Sequence, residues 1–256
     1  MTAEQIEMIK RLLPTALGSA ELRASIAADI LRQSVFSARM ESARYLAQVQ
    51  RVCAKVAGGG MNLADARIVL TRTLRNMGHD TANAKGIQDP ASVRRLNLIV
   101  KTRAEMAANA ARVNAQDEAS VYAVPAWELL RFGQRRVPRD WAARWKAAGD
   151  AVGWVGASRD FGALIALKSS PIWQALGDGV GGYRDTLGNP FPPFAYGSGL
   201  AWADVSRDEA IELGLIQPDE HVPAPAAPSL SPSEADIADA VSRLGFDDDL
   251  FSDLAG

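Results

Sequence analysis

The sequence predicts a mainly α fold with a small α+β, loop-rich aromatic C-terminal subdomain and a tethered C-terminal helix. Three observations carry that expectation. Through residues 1–118 apolar side chains recur every three or four positions, the spacing of a helix face. All six tryptophans fall between Trp127 and Trp202, so residues 119–217 are expected to hold a core of their own. Residues 218–232, PDEHVPAPAAPSLSP, have the composition of a semi-rigid spacer, and they set residues 233–256 apart.

In order along the chain, Ser19 can cap a helix whose apolar positions run Leu22, Ile26, Ile30, Phe36, Met40, Ala43, Leu46, Val49, Cys53 and Val56. The pattern reads as one face of a long helix, bent near residues 34–37 and stopped by Gly58, Gly59 and Gly60. Asn62 caps the next helix, with Asp65 three residues on, and Gly78 ends it. Asp89 before Pro90 predicts a third start, since proline lacks only an N–H that the first turn leaves unused. That helix carries Leu96, Met106, Ala110 and Val113 on one side and Arg94, Arg95, Lys101, Arg103 and Arg112 on the other. The charges read as a solvated face. Alternatively, Arg94, Arg95, Lys101 and Arg103 form a basic face that contacts DNA phosphates.

In the second half, Pro138 or Arg139 opens a short helix with Trp141 and Trp145 on one side and Gly149 at its end. Residues 162–168 predict a buried strand, with a short helix as the alternative. Ser170 and Pro171 restart helix as far as Gly177, and GDGVGG and NPFPPFAYGSG follow as loops. Within residues 164–216 a structural cluster of Trp173, Phe191, Phe194, Tyr196 and Trp202 must fold by side-chain packing, because prolines and glycines forbid regular structure there. Ser206 with Glu209 forms a capping box, Gly214 closes a two-turn helix, and the body is expected to end near Ile216. Beyond the spacer, Ser231, Pro232 and Glu234 repeat the start signal for a helix ending at Gly245. In FDDDLFSDLAG, Phe246, Leu250, Phe251 and Leu254 alternate with aspartates, the composition of a peptide that docks in a partner's groove.

Charge and composition narrow the function classes. The formal net charge is −2, yet residues 234–256 carry seven acids against one arginine, a contribution of −6 that leaves +4 on the rest. That mild excess does not by itself argue for nucleic acid. The longest apolar runs fall far short of the roughly 18–20 residues needed to cross a bilayer. The start MTAEQIEMIKRLLP lacks a secretory pattern, so a cytoplasmic setting with no membrane partner is expected. Cys53, the single cysteine, reads as a small buried apolar residue.

The residue patterns of catalysis are incomplete wherever they begin. His79 and His221 lack metal-ligand spacing and a neighbouring nucleophile. Ser198 in YGSGL has Tyr196 and Leu200 where a nucleophile elbow needs glycines. GDGVGG lacks the lysine and Ser/Thr of a phosphate loop. Asp204, Asp208 and Glu209 read as acids at a helix start. No enzyme, cofactor, metal or small-molecule substrate is therefore expected.

The ordered phrases PAWELLRFGQRRVPRDWAARWKAAG, LIALKSSPIWQALGD, NPFPPFAYGSGLAW and VSRDEAIELGLI, after the helix RRLNLIVKTRAEMAANAARVNAQ, resemble the C-terminal region of phage minor head proteins of the phage Mu F-like, head-morphogenesis type. The resemblance covers residues 89–216. It implies a virion or prohead component, present in the host cytoplasm during assembly, that binds portal and/or capsid and scaffold proteins. A nucleic-acid adaptor acting at DNA packaging or ejection is the alternative. Many members carry Cys and His near the end of this region in a pattern suggestive of a metal site, whereas residues 127–216 here contain neither. The expectation is that Pro192, Pro193, Phe194, Tyr196 and Trp202 pack where a metal would otherwise tie the loops.

Overall fold

In the computed structural model, residues 1–132, 139–153 and 163–228 are described. The chain begins with α1 (Ala3–Met8), where Thr2 and Gln5 exchange hydrogen bonds of 2.9 and 3.2 Å in a capping box. The long helix expected from residue 19 is instead broken into α2 (Ser19–Ser25), α3 (Ala28–Arg32) and α4 (Ala43–Ala57). Ile26 is extended at φ −121° and ψ 136°, and the Ser34 hydroxyl donates to the Ile30 carbonyl at 2.8 Å. Ser34 and Val35 form β2 (Ser34–Val35), which pairs in parallel with β1 (Arg11–Leu12). Ser34 thus bonds backbone locally through its side chain, and its own backbone pairs with β1 instead of continuing a helix. Ser42 then caps α4 by accepting from the Tyr45 N–H.

Asn62 caps α5 (Leu63–Asn76) by accepting from the Asp65 N–H at 2.9 Å, and Gly78 leaves it at φ 89°, as expected. The helix expected from Pro90 begins later, as α6 (Val93–Asn114), with Ser92 as its cap. Asp89 holds the preceding turn, accepting from the Lys85 and Ala91 N–H groups.

After α7 (Glu118–Ala123), three antiparallel strands form a sheet in the order β4–β3–β5: β3 (Ala126–Arg131), β4 (Ile165–Leu167) and β5 (Leu200–Val205). Only β4 was expected, over a longer span. Alternation splits the sheet into two faces. Trp127, Leu129, Ala166, Leu200 and Trp202 face one core, while Ala126, Ile165 and Val205 face another with α7 and α10 (Arg207–Glu212). Helix α8 (Trp141–Val152), capped by Asp140, buries Trp141 and Trp145, but it runs through Gly149 and ends at Gly153, which takes the left-handed conformation. Helix α9 (Ile172–Asp178) likewise ends at Gly179. Gly177 stays inside because a Cβ there would meet the Asn189 carbonyl oxygen at 1.9 Å.

The fold is thus mainly α with a small α+β part, but the aromatic core is shared across the boundary expected at residue 118. Ile6 of α1 and Met106, Ala107, Ala110 and Val113 of α6 pack in the same cluster as Trp127, Trp173 and Phe194. The N-terminal half of α6 packs on α4 and α5 through Leu96 and Val100. The body also continues past Ile216. Arg207 donates to the Pro218 and Glu220 carbonyls at 2.7 and 2.8 Å, and Val222 is buried beneath the second sheet face. Residues 229–256, including Phe246, Leu250, Phe251 and Leu254, lie outside the described residues. No described helix is long and apolar enough to cross a membrane.

Candidate functional site

Four of the five clustered aromatics meet as expected, around a residue the sequence did not single out. Trp127 on β3 and Trp202 on β5 are diagonal cross-strand neighbours, with rings stacked at 3.8 Å. Trp173 meets Trp127, Trp145 and Trp202 edge-on at 6.1, 5.3 and 5.2 Å, and Phe194 packs on Trp173 and Trp202. Phe191 is buried in the same cluster. Tyr196 is elsewhere: it lines a separate cavity.

A polar network borders the tryptophans. Asp204, directly opposite Trp127, accepts from the indole Nε1 at 3.0 Å, lies 2.9 Å from Arg112 and 3.2 Å from the Lys168 Nζ. Lys168 also donates to Gln116 at 2.6 Å, and both cations lie over the Trp127 ring. Burial opposes ionisation of Asp204, but Lys168 and Arg112 more than offset it and hold the carboxyl below its ordinary range. Asp204 therefore belongs to the sheet, not to the following helix start, where Asp208 and Glu209 remain. A parallel arrangement holds Asp185, which Arg139 and Arg144 clasp from two sides, while Arg144 also lies over the Trp141 and Tyr183 rings. Burial again opposes ionisation, and the two guanidinium groups override it.

The basic face expected on α6 is not a surface. Arg95 and Arg103 are only 7% and 8% exposed. Arg95 donates to Ser37, Gln88 and Ala38, and Arg103 reaches Glu7 at 2.5 Å and the Ser34 carbonyl at 3.2 Å. Glu7 is fully buried and lies 2.9 Å from Lys10. Burial pushes Lys10 below its ordinary value, whereas around Arg103 the neighbouring Glu7 and Cys53 outweigh burial and raise it. Gln50 completes the joint by sharing its amide among the Glu7, Met8 and Lys10 carbonyls. Arg94 and Lys101 alone of the four remain exposed, and Lys101 lies 3.7 Å from Glu105.

A cavity of about 670 Å³ lies between α2, α3, the middle of α6 and the loop after α9. Its floor is apolar, with Leu22, Ile26, Leu31, Phe36, Ile99 and Met106. Arg23, Arg32, Arg103 and Arg184 line it against a single acid, Asp178. Arg32 donates to the Gly188 carbonyl, and Gly188 approaches so closely that a Cβ there would meet Ala28 Cβ at 2.5 Å. Arg23 and Arg184 are exposed at the mouth. Burial pushes the Tyr196 hydroxyl above its ordinary value, against the pull of Arg103, Arg23 and Arg95. Gly177, Gly179 and Gly182 of GDGVGG line the cavity, and Gly179 is held closely: a Cβ there would meet the Tyr183 carbonyl oxygen at 2.1 Å.

Among the described residues no three His, Cys, Asp or Glu side chains converge as a metal site requires. Ser198 is fully buried, and its hydroxyl accepts from the Leu200 N–H, a loop-bracing position. Sequence reading missed the cavity and both aspartate clasps because their members lie far apart in the chain; the one local signal was the alternation of buried residues in AWELLR and LAWADV. No family model matches the chain, and no curated protein or solved structure matches it.

Proposed function

We propose that the chain is a structural and assembly minor head protein of a phage or prophage, non-enzymatic, acting through contacts with portal and/or capsid and scaffold proteins. The observation that carries this reading is the ordered set of phrases across residues 89–216, which resembles the Mu F-like head-morphogenesis family. The way those phrases fold supports it. AWELLR and LAWADV pair as β3 and β5, and SPIWQAL brings Trp173 onto them, so the phrases are successive layers of one packed body. On this reading the packing of Phe194 and Trp202 takes the place of the Cys and His pattern that many members of that family carry, while Tyr196, expected beside them, lines the cavity instead. The polar clusters are closed by ion pairs and cation–π contacts, an arrangement suited to a rigid binding body. Of the four residues on which the DNA-adaptor reading rests, Arg95 and Arg103 are committed to internal contacts and Arg94 and Lys101 are exposed, which favours the assembly reading.

The test is incorporation. An epitope-tagged chain produced in cells assembling proheads should co-purify with the proheads and with the portal protein. Loss from purified proheads under conditions that retain the portal would refute the assignment. Deleting residues 230–256 separates the tail from the body, and the tail's proposed role in docking on a head protein requires incorporation to fall.

A further inference from the structure

We propose that the 670 Å³ cavity is the docking site of the chain's own acidic segment, residues 246–254, with Phe246, Leu250 and Phe251 on the apolar floor and the aspartates at the arginine-lined mouth. Chemistry, reach and linkage carry the inference.

The cavity combines two properties that seldom suit one small metabolite: an aliphatic and aromatic floor, and an excess of arginine over acid in its lining. The volume lies within the roughly 300–1,000 Å³ typical of ligand sites. Arg23 and Arg184 line the cavity and are exposed, one from α2 and one from the loop after α9. FDDDLFSDL offers the matching set, four large apolar side chains and four carboxylates within nine residues. Carboxylates meeting guanidinium groups at a low-dielectric rim gain charge-assisted hydrogen bonds, which Arg forms bidentately.

Reach is ample. The described chain runs to Pro228, and Arg207 pins it near the C-terminal end of α7 through the Tyr122, Pro218 and Glu220 carbonyls. Along α6, Arg103 at the cavity and Asn114 at the helix end are separated by about 17 Å at 1.5 Å per residue. The eighteen residues from Pro228 to Phe246 span up to about 60 Å. Because the peptide is covalently linked, docking is intramolecular, and a short linker gives effective concentrations on the order of millimolar. Even a weak contact is then populated. The inference does not rest on the head-protein reading, and a head partner that takes up the same segment would have to displace it from the cavity.

Hydrogen exchange on the full chain tests it. Three variants are compared with wild type: Phe246→Ala/Leu250→Ala/Phe251→Ala in the segment, Arg23→Glu/Arg184→Glu at the mouth, and Asp247→Arg/Asp248→Arg/Asp249→Arg. All the mutated body residues are exposed, so the fold is preserved, which circular dichroism verifies. Each variant is expected to raise amide exchange of residues 19–32 and 177–188 at least fivefold. Combining Arg23→Glu/Arg184→Glu with the aspartate-to-arginine triple is expected to restore protection. Unchanged exchange in the apolar triple overturns the proposal. So does a mouth effect without a segment effect, which would mark a site for a free anion, and so does protection that grows with protein concentration, which would place the segment of a second copy in the cavity.

Discussion

Glu7→Ala tests how the N-terminal segment is joined to the rest. Glu7 is fully buried and faces two cations, Arg103 at 2.5 Å and Lys10 at 2.9 Å. Lys10 can lose its proton when its partner goes, and burial already pushes it that way. Arg103 cannot, because a guanidinium stays charged at any ordinary pH. The variant therefore leaves an uncompensated charge in a site 8% exposed, for which about 3–5 kcal/mol is the usual cost. With roughly 2–4 °C per kcal/mol for a chain of this size, the midpoint should fall by about 6–20 °C. Thermal and urea unfolding followed by tryptophan fluorescence measure it, since Ile6 packs in the tryptophan core and loosening α1 reaches the probes. Glu7→Leu combined with Arg103→Met removes both charges and should return to within about 2 kcal/mol of wild type. A single-variant loss under about 1 kcal/mol, or a double variant no better than the single, would refute the buried-charge argument.

Other outcomes follow from the same contacts. Trp127→Ala should cost about 3–5 kcal/mol and abolish much of the near-ultraviolet dichroism, because it removes the ring that stacks on Trp202 and meets Trp173 edge-on, whereas Trp127→Phe should cost distinctly less. Asp204 and Asp185 are both held below the ordinary carboxylate range, so their contribution is fully present above about pH 4 and is lost as pH falls through their lowered values. Asp204→Asn/Asp185→Asn should make acid denaturation curves shallower in that window. Cys53 is buried, with its thiol pushed up to about 12, so a thiol reagent at pH 8 should react only in denaturant, at one equivalent per chain.

What was legible in the sequence was local. Caps at Ser42, Asn62 and Ser206, and glycine stops at Gly78 and Gly214, are decided by contacts within four residues, and the sequence reading recovered those at Asn62, Ser206, Gly78 and Gly214. What was not legible depends on partners distant in sequence. The stretch from Leu22 to Met40 has helical spacing throughout, yet pairing of Ser34 and Val35 with Arg11 and Leu12 supersedes it. Gly149 and Gly177 look like stops, but each lies inside its helix, and Gly177 is there because Asn189 crosses it. β3 and β5 escaped notice because each is short and flanked by loop formers, although their inward residues, Trp127 with Leu129 and Leu200 with Trp202, alternate as a half-buried sheet requires. The aromatic cluster was recognised from composition, while the place of Trp127 within it is set by the register with Asp204.

The arginines of α6 show how the functional reading changes once geometry is known. In sequence they form a stripe, and a stripe of cations invites a phosphate backbone. In the fold Arg95 leaves the helix toward residues 37, 38 and 88, Arg103 toward Glu7 and Ser34, and Arg112 toward Asp204 and the Trp202 carbonyl. Each guanidinium joins α6 to a different layer, so the helix is the axis on which the N-terminal helices and the sheet are assembled, and neutralising any one of them should loosen a joint before it affects a ligand. The exposed cations that line the 670 Å³ cavity are Arg23 and Arg184, on α2 and the loop after α9. In the docking proposed for residues 246–254, these two arginines, and not the α6 stripe, would receive the acids.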